Sequence, residues 1–598
     1  MIKLSDYVIR YLESLNVRHI FMLPGGGAMH LNDSLGKSKK IEYVCCLHEQ
    51  ACAIAAEAYA RVTNNIGLLM VTTGPGGTNA LTGIAGAYIE STPVLVISGQ
   101  VKILDQIRDQ KIRQQGMQEL DIVSIVKPIT KYAVMVTDPN SIKYHLDKAV
   151  YEAKHGRPGP VWLDIPLDVQ ATMIDETNLA GYQAVPEIQE DLSDKISAII
   201  DTLNNSERPV LLAGNGIRLS GGIEDFQQLI NLLGIPVLTT WNGIDLIWED
   251  HQLYYGRPGG LGHRYANFVQ QNSDFFLSIG ARLNLLQTGY NFDGFARCAK
   301  KVMVDIDPNE LQKINVRPDI PVCTDAAYFI KEIIRQKDKI ARKDRKPWFD
   351  YCGRVKRTYP LITESMRKQN DRVNSYLLLD TISDQMNSDD IFVAGSSGNC
   401  IDLSMQGFKV KKGQRVFTTK GLAAMGYGLP STIGAALASE RKRTVCVNGD
   451  GGFQMNIQEL ETIHRLDLPV KIFVLDNGGY ATIKSTQTRL FDGHLVGCTS
   501  DSKLTMPNIV DVATAYKLRT VTITNNSELQ SKVAETLGGN DPVICVVSVS
   551  IDLPILPKQM SYKRKDGQME SLPLEYMNPP LSEEELKSNM LIPMYQQG

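Results

Sequence analysis

Asp450 and Asn477 are the pair of side chains in this sequence best suited to joint chemistry. They lie in the stretch VCVNGDGGFQMNIQELETIHRLDLPVKIFVLDNGGY, residues 445–480. It reads as a strand, a turn through Gly449, Asp450, Gly451 and Gly452, a helix, and a second strand ending at Asp476 and Asn477. Both side chains then stand at the C-terminal ends of parallel strands, the edge at which open α/β sheets bind ligands. Glycines there let a phosphate approach the backbone. Mg²⁺ takes one or two protein oxygens plus phosphate oxygens in near-octahedral geometry. Asp in a glycine-rich turn is common for turn geometry alone; the second oxygen-bearing side chain, Asn477, is what points to a magnesium–diphosphate site.

Glu49, in CCLHEQACAIAAEAYARV, follows a short apolar strand at 41–47 and opens an Ala-rich helix. A carboxyl group among small apolar residues is able to hold a proton near neutral pH, although an acid at a helix N-terminus is also favoured by the dipole alone. Glycine segments follow strands at Pro24-Gly25-Gly26-Gly27 and at Thr73 to Asn79 (TGPGGTN), and turns alone account for such glycines. His30 is a candidate proton relay, and Asn32, Gln114, Gln115 and Gln118 are candidate polar pocket residues. QTRLFDGHLVG, with Gln487 and His494, is expected to form a mobile loop over the pocket.

Elements must position these residues. Strand and helix patterns alternate throughout, which predicts an α/β chain of three doubly wound domains with mostly parallel sheets. The boundaries are placed at 1–180, 187–335 and 365–550, followed by an irregular Pro-rich tail at 551–598. Expected strands include 19–23, 67–72, 93–98, 209–213, 275–279 and 301–306. The 598 residues are 43% hydrophobic and 22% charged, enough for three or four cores. A net charge of -3 leaves no electrostatic footprint for nucleic acid. No apolar run is long enough to cross a bilayer. The first residues read as an amphipathic helix rather than a signal peptide. Ten cysteines without CxxC pairs or metal spacing suggest buried thiols in a reducing compartment, and cytoplasm is the expected location.

Gly-Asp-Gly followed about two dozen residues later by Asn resembles the diphosphate–magnesium motif of thiamine diphosphate (ThDP) enzymes. The whole chain resembles the three-domain acetohydroxyacid (acetolactate) synthase and 2-keto acid decarboxylase superfamily. HEQACAIAAEAYAR, GRPGPVWLDIP, GLAAMGYGLP and DIDPNEL carry that likeness. The resemblance implies a pyrimidine-binding first domain, a nucleotide-binding-like central domain and a diphosphate-binding third domain. It implies Mg²⁺ on Asp450, Asn477 and the Gly479 carbonyl, and Glu49 as the acid that hydrogen-bonds the aminopyrimidine ring. Gly25, Gly26 and Asn79 would face the cofactor from the first domain. Gly449, Gly451, Gly452, Tyr480, Ser397, the Ala423 carbonyl and a bulky Met425 between the two rings would face it from the third. Active sites would lie between subunits of a homodimer or homotetramer. Gly214–Gly216, Thr239–Thr240, Gly262–Arg264 and Arg282 resemble positions that hold FAD or ADP in some relatives.

Positions that define acetolactate synthase itself depart from that pattern. Met117 stands for a Phe before Gln118 and Glu119, Leu167 for a Lys, Leu286 for an Arg, Thr486 for a Trp and Thr482 for a Met. The expectation is therefore a decarboxylase and carboligase other than a true acetolactate synthase. It would act on a 2-keto acid and transfer the acyl unit to a second carbonyl acceptor in a wider, less cationic pocket, such as a keto sugar. Acetolactate synthase proper, a flavin-linked oxidase, an acyl-CoA lyase and a non-catalytic homologue are the alternatives.

Overall fold

A computed structural model describes residues 1–598 apart from 108–109, 186–188, 370, 396–397, 565–566 and 597–598. The expected second-domain start at Glu187 and the candidate Ser397 lie outside the described residues. The chain forms three α/β domains, each built on a parallel sheet.

The first sheet orders its strands Glu42–Cys45, His19–Met22, Gly67–Val71, Val94–Gln100, Val161–Pro166, Tyr132–Met135. The third orders Arg415–Thr418, Ile391–Ala394, Thr444–Gly449, Val470–Asp476, Val543–Ser548, Arg519–Ile523. Numbered by chain position within each domain, both run 2-1-3-4-6-5, although no strong repeat is visible between their sequences. The central sheet runs Val237–Thr239, Pro209–Ala213, Phe275–Ile279, Lys300–Asp305, Ile320–Cys323. In all three, strand order reverses between the first and third strands in chain order, which opens a crevice at the C-terminal edge. The central strands of all three sheets are buried on both faces, which is why they read as near-continuous apolar runs.

The first and third domains share one continuous core. Its seam is the helix Glu49–Thr63 packed on the helix Gly428–Ala438. Gly434 permits the approach, because a Cβ there would fall 2.1 Å from the Ala55 carbonyl oxygen. The expected irregular tail is ordered by packing. Leu574 and Leu586 enter the core formed by Phe268, Trp348 and Cys352, and Asn267 donates to the Leu574 carbonyl. Seven of the ten cysteines are buried, and all are free thiols.

One acid stands in an apolar strand. Asp164 accepts from Ser98 Oγ at 2.6 Å and Gln100 Nε2 at 3.0 Å. Burial pushes its carboxyl up to about 7 against those two hydrogen bonds. The folded chain thus holds a proton that the unfolded chain has released above pH ~4. This group's contribution to stability falls as pH rises from about 4 to about 7, by up to about 4 kcal/mol.

Two measurements check this architecture. Gly434→Leu is expected to cost about 1–3 kcal/mol through overpacking and to lower the melting temperature; an unchanged melting curve would contradict the seam. The native chain is expected to lose urea midpoint between pH 5.5 and pH 8, and Asp164→Asn should remove that fall, whatever it does to absolute stability.

Candidate active site

Asp450 ends the third strand of the C-terminal sheet and opens the short helix Asp450–Gln454, so the expected turn is the first turn of a helix. Its Oδ1 accepts from the Gly451 amide at 2.7 Å. Its Oδ2 accepts from the amides of Asn477, Gly478 and Gly479 at 3.1, 2.7 and 3.1 Å. Asn477 Oδ1 accepts from the Gly479 amide at 3.1 Å. The two side chains singled out in sequence therefore meet across neighbouring strand ends. Tyr480 follows, and its ring fills the space beside Gly451, where a Cβ would overlap it at 2.3 Å.

Asp450 is 2% exposed, and no cationic side chain pairs with it among the described residues. Burial pushes its carboxyl up to about 6 even though four amides pull the other way. A buried carboxylate lacking a counter-charge, beside an amide oxygen, fits a divalent cation that takes its remaining ligands from phosphate. No cluster of three or more His, Cys, Asp or Glu side chains offers a metal site among the described residues.

The other half is built in the first domain. Glu49 is the first residue of its helix and 5% exposed. The N-cap His48 accepts from the Gln50 amide at 3.0 Å, and Asn79 Nδ2 donates to Glu49 Oε2 at 2.9 Å. The structure thus joins Glu49 and Asn79. Gly25 packs on Thr72, while Gly26 faces open space. His30 is half-buried on the next helix, and Asn32 reaches back to the Gly25 carbonyl at 3.5 Å. Gln118 is exposed with φ +64°, and its carbonyl accepts from Thr73 Oγ1 at 3.1 Å. Gln114 and Gln115 are bound within the loop closed by Glu119, whose carboxylate accepts from the amides of Ile107, Gln115 and Gly116.

Within one chain the Glu49 helix meets the third domain at both of its ends. The Leu47 amide donates to Glu459 at 2.9 Å at the start of the Glu49 helix. The segment carrying Ala423 and Met425 docks at the far end of the same helix, where Tyr427 Oη donates to Glu57 at 2.8 Å and the Gly421 amide donates to Glu90 at 2.6 Å. Glu49 and Glu57 are about 12 Å apart along the helix axis. Ala423 is exposed and adopts φ +55°, a left-handed conformation uncommon for a non-glycine residue that reorients its peptide. Met425 is half-buried beside it.

The central crevice is an open cleft of ≈ 1220 Å³, reaching Asn215, Gly216, Thr240, Arg282 and Asp305. Asn215 and Asn242 each bring to it a buried side-chain oxygen without a hydrogen-bond partner, which fits a polar ligand. His263 and Arg264 are engaged elsewhere, on the Gln406 carbonyl and the Pro579 carbonyl.

The expected loop at 487–497 begins as helix, since Gln487 lies within Ala481–Leu490. Gln487 Oε1 then accepts from the Val496 amide at 2.9 Å, latching the following turn. Residues not singled out in sequence support the first half. Asp164 holds Gln100, Gln100 Oε1 accepts from Thr73 at 2.9 Å, and Thr73 contacts the Gln118 carbonyl. A lone Asp in the apolar VWLDIP strand was the available signal.

Three family models match the chain. They are the thiamine pyrophosphate enzyme N-terminal TPP binding domain over residues 2–125, the central domain over 196–333 and the C-terminal TPP binding domain over 396–547. The chain is 32% identical over 561 residues to an acetolactate synthase large subunit of Cyanidium caldarium, covering 91% of this chain and 93% of that protein. It is 31% identical over 563 residues to the acetolactate synthase large subunit of Corynebacterium glutamicum, covering 92% and 87%. It is 32% identical over 568 residues to a probable acetolactate synthase large subunit of Methanocaldococcus jannaschii, covering 92% and 93%. With Glu49 and Asp450 set at the strand ends of two TPP binding domains, the chain belongs to the thiamine pyrophosphate (ThDP) enzyme family and is a ThDP-dependent enzyme similar to acetolactate synthases.

Proposed function

We propose that the protein is a ThDP- and Mg²⁺-dependent enzyme that decarboxylates a 2-keto acid and joins the acyl unit to a second carbonyl compound. The observation that carries this reading is the buried, cation-free carboxylate of Asp450 bound to the Asn477–Gly479 loop. Asp450, Asn477 and the Gly479 carbonyl would hold Mg²⁺, and Gly449, Gly451, Gly452 and Tyr480 would border the diphosphate. Bound ThDP supplies a nucleophilic carbon and an electron sink for loss of CO₂. Glu49 would hydrogen-bond the cofactor ring, and Asn79, which donates to Glu49 Oε2, would orient its carboxylate. His30 and Gln118 are the polar groups proposed to face the substrates. Ala423 and Met425 would support the rings.

The names of the relatives favour a second 2-keto acid as acceptor, the reaction of an acetolactate synthase. A larger acceptor such as a keto sugar is the second reading, favoured by Thr482 and Thr486 on the helix after the metal loop. The cleft of the central domain would take FAD or ADP; flavin absorbance of the purified protein tests the former.

The resemblance to ThDP enzymes supports a site completed by a second copy of the chain. Apolar exposure in the first domain supports it too: Leu47, Leu104 and Met117 are 51%, 73% and 88% exposed. A homodimer is then the minimum unit, with a homotetramer as its doubling. The tail segment around Lys558 is proposed to border the site, the rest being committed to the central domain.

Three outcomes are expected. The enzyme with ThDP and Mg²⁺ releases CO₂ from pyruvate or another 2-keto acid; failure with every such acid would falsify the reading. Glu49→Gln keeps cofactor affinity by calorimetry but loses about 10²-fold or more of turnover. Mixing inactive Glu49→Gln and Asp450→Ala chains restores up to about a quarter of wild-type activity if sites are shared between subunits, since half of randomly mixed dimers would carry one intact site of two; no recovery after verified subunit exchange would refute the shared site.

A further inference from the structure

The turn that leads into Glu49 is held from outside its own domain. The strand Glu42–Cys45 is followed by Cys46, whose amide still donates to the Met22 carbonyl at 3.2 Å. The next amide, that of Leu47, finds its acceptor in the third domain, on Glu459 Oε1 at 2.9 Å. His48 then caps the helix and Glu49 opens it. Glu459 begins the helix Glu459–Arg465, and at its other end Arg465 Nη2 donates to the Cys45 carbonyl at 2.7 Å. One helix of the third domain therefore grips both the last residue of the strand and the residue before the cap.

Glu459 is 0% exposed. An acid in the first turn of a helix is favoured by the dipole alone and needs no partner in another domain. Burying a carboxyl group is costly unless its oxygens are bonded, and burial pushes this one up from the usual carboxylate range. Its Oε2 is bonded locally, accepting from Thr462 Oγ1 at 2.7 Å, while Oε1 reaches out to Leu47. The anchor is itself fixed. Gln458 Nε2 donates at 3.3 Å both to Glu459 Oε1 and to Asn456 Oδ1, and Asn456 Nδ2 donates to the Gly426 carbonyl at 2.9 Å. Asn456 is buried at φ +71°; Gly426 lies at φ +90°, and a Cβ there would fall 2.9 Å from Asn456 Nδ2. The segment 456–459 thus bonds the carbonyl next to Met425 at one end and the amide two residues before Glu49 at the other.

We propose that Glu459 is a positioning residue for Glu49, fixing the backbone of the turn from which Glu49 projects. The proposal rests on the reading of Glu49 above. Two separate devices then aim one carboxylate. Asn79 Nδ2, 2.9 Å from Glu49 Oε2, sets the rotation of the side chain but not where its helix begins. Glu459 sets where the helix begins, through Leu47. An amide that loses its acceptor is costly to leave unpaired, so without this oxygen the turn re-seats. A misplacement of about 1 Å at a reacting group costs about 10²-fold in rate. Glu459 touches neither substrate nor cofactor in this role; its effect passes through Glu49.

Two variants of the full chain separate positioning from support of the fold. Glu459→Met fills similar space with no acceptor for Leu47, and Glu459→Gln keeps an oxygen there. Without cofactor, hydrogen–deuterium exchange at the Leu47 amide is expected to speed up about tenfold or more in Glu459→Met and less than about threefold in Glu459→Gln. With ThDP, Mg²⁺ and pyruvate, Glu459→Met should lower kcat and the exchange rate of the cofactor's C2 proton by about 10- to 100-fold at a near-native KM. Glu459→Gln should restore most of that loss. In a Glu49→Gln background, Glu459→Met should slow C2-proton exchange no further, because both substitutions act on one group. Full additivity in that background, native kcat in Glu459→Met, or a loss that Glu459→Gln leaves unrestored would overturn the positioning role. Should Glu459→Met fail to fold, Glu459→Asp, which withdraws the oxygen by one methylene, takes its place with the same expectations. A Glu49→Gln chain that turns over normally sinks the parent reading of Glu49 instead, and exchange at Leu47 still decides whether Glu459 holds the turn.

Discussion

The structure depends on the contact between the helix Glu49–Thr63 and the helix Gly428–Ala438. Both are rich in small residues, and at Gly434 one backbone lies against the other. Interiors are close-packed, so such a seam behaves as a rigid joint rather than a hinge. It merges two domains into one core. It also decides what each end of the Glu49 helix meets: Glu459 at the start, and at the end the 415–427 segment, bound through Glu57 and Arg61. The far end is reinforced by buried charge. Arg61 bonds Glu57 and the Thr418 carbonyl, and Arg415 reaches Asp245 of the central domain, which Arg218 also bonds. A buried ion network of this kind contributes little net stability but tolerates few alternative arrangements.

That network ties the central cleft to the third domain. Glu90 accepts from Asn242, which borders the cleft, and from the Gly421 amide, which precedes Ala423. Three domains thus meet at one carboxylate. The tail adds a second bracket, through Gln559 on Gly260 and Tyr376 on Leu556. The molecule is a set of three similar crevices whose relative placement is set by a few buried polar contacts rather than by long linkers.

Much of this was legible in sequence because apolar runs and glycines report local geometry directly. The strands Pro209–Ala213 and Phe275–Ile279 fall where the runs predict, and Asp450 with Asn477 stands at adjacent strand ends as the spacing requires. The Glu49–Asn79 bond joins two helices thirty residues apart, each signalled by its own glycine or alanine pattern. What was not legible depends on partners distant in the chain. Asp164 gives no sign in sequence of Gln100 and Thr73. The tail reads as irregular because its order comes from the central domain, where Asn272 and Arg264 bind its backbone. His263 and Arg264 look like ligand residues at a strand end, yet His263 Nε2 is bound to the Gln406 carbonyl and Arg264 Nη2 donates to the Pro579 carbonyl.

The four amide bonds to Asp450 have a consequence for how the site is filled. Ordering a residue's backbone costs about 1–2 kcal/mol, and a loop of glycines such as Gly478–Gly479 costs the most. Here the chain's own carboxylate holds the Asn477–Gly479 amides. The entropy is surrendered once, when the chain folds, and not at each encounter with a ligand. Ligand loading at this edge is then governed by exchange of water and ions around a rigid rim, closer to a key entering a cut lock than to a hand closing on an object.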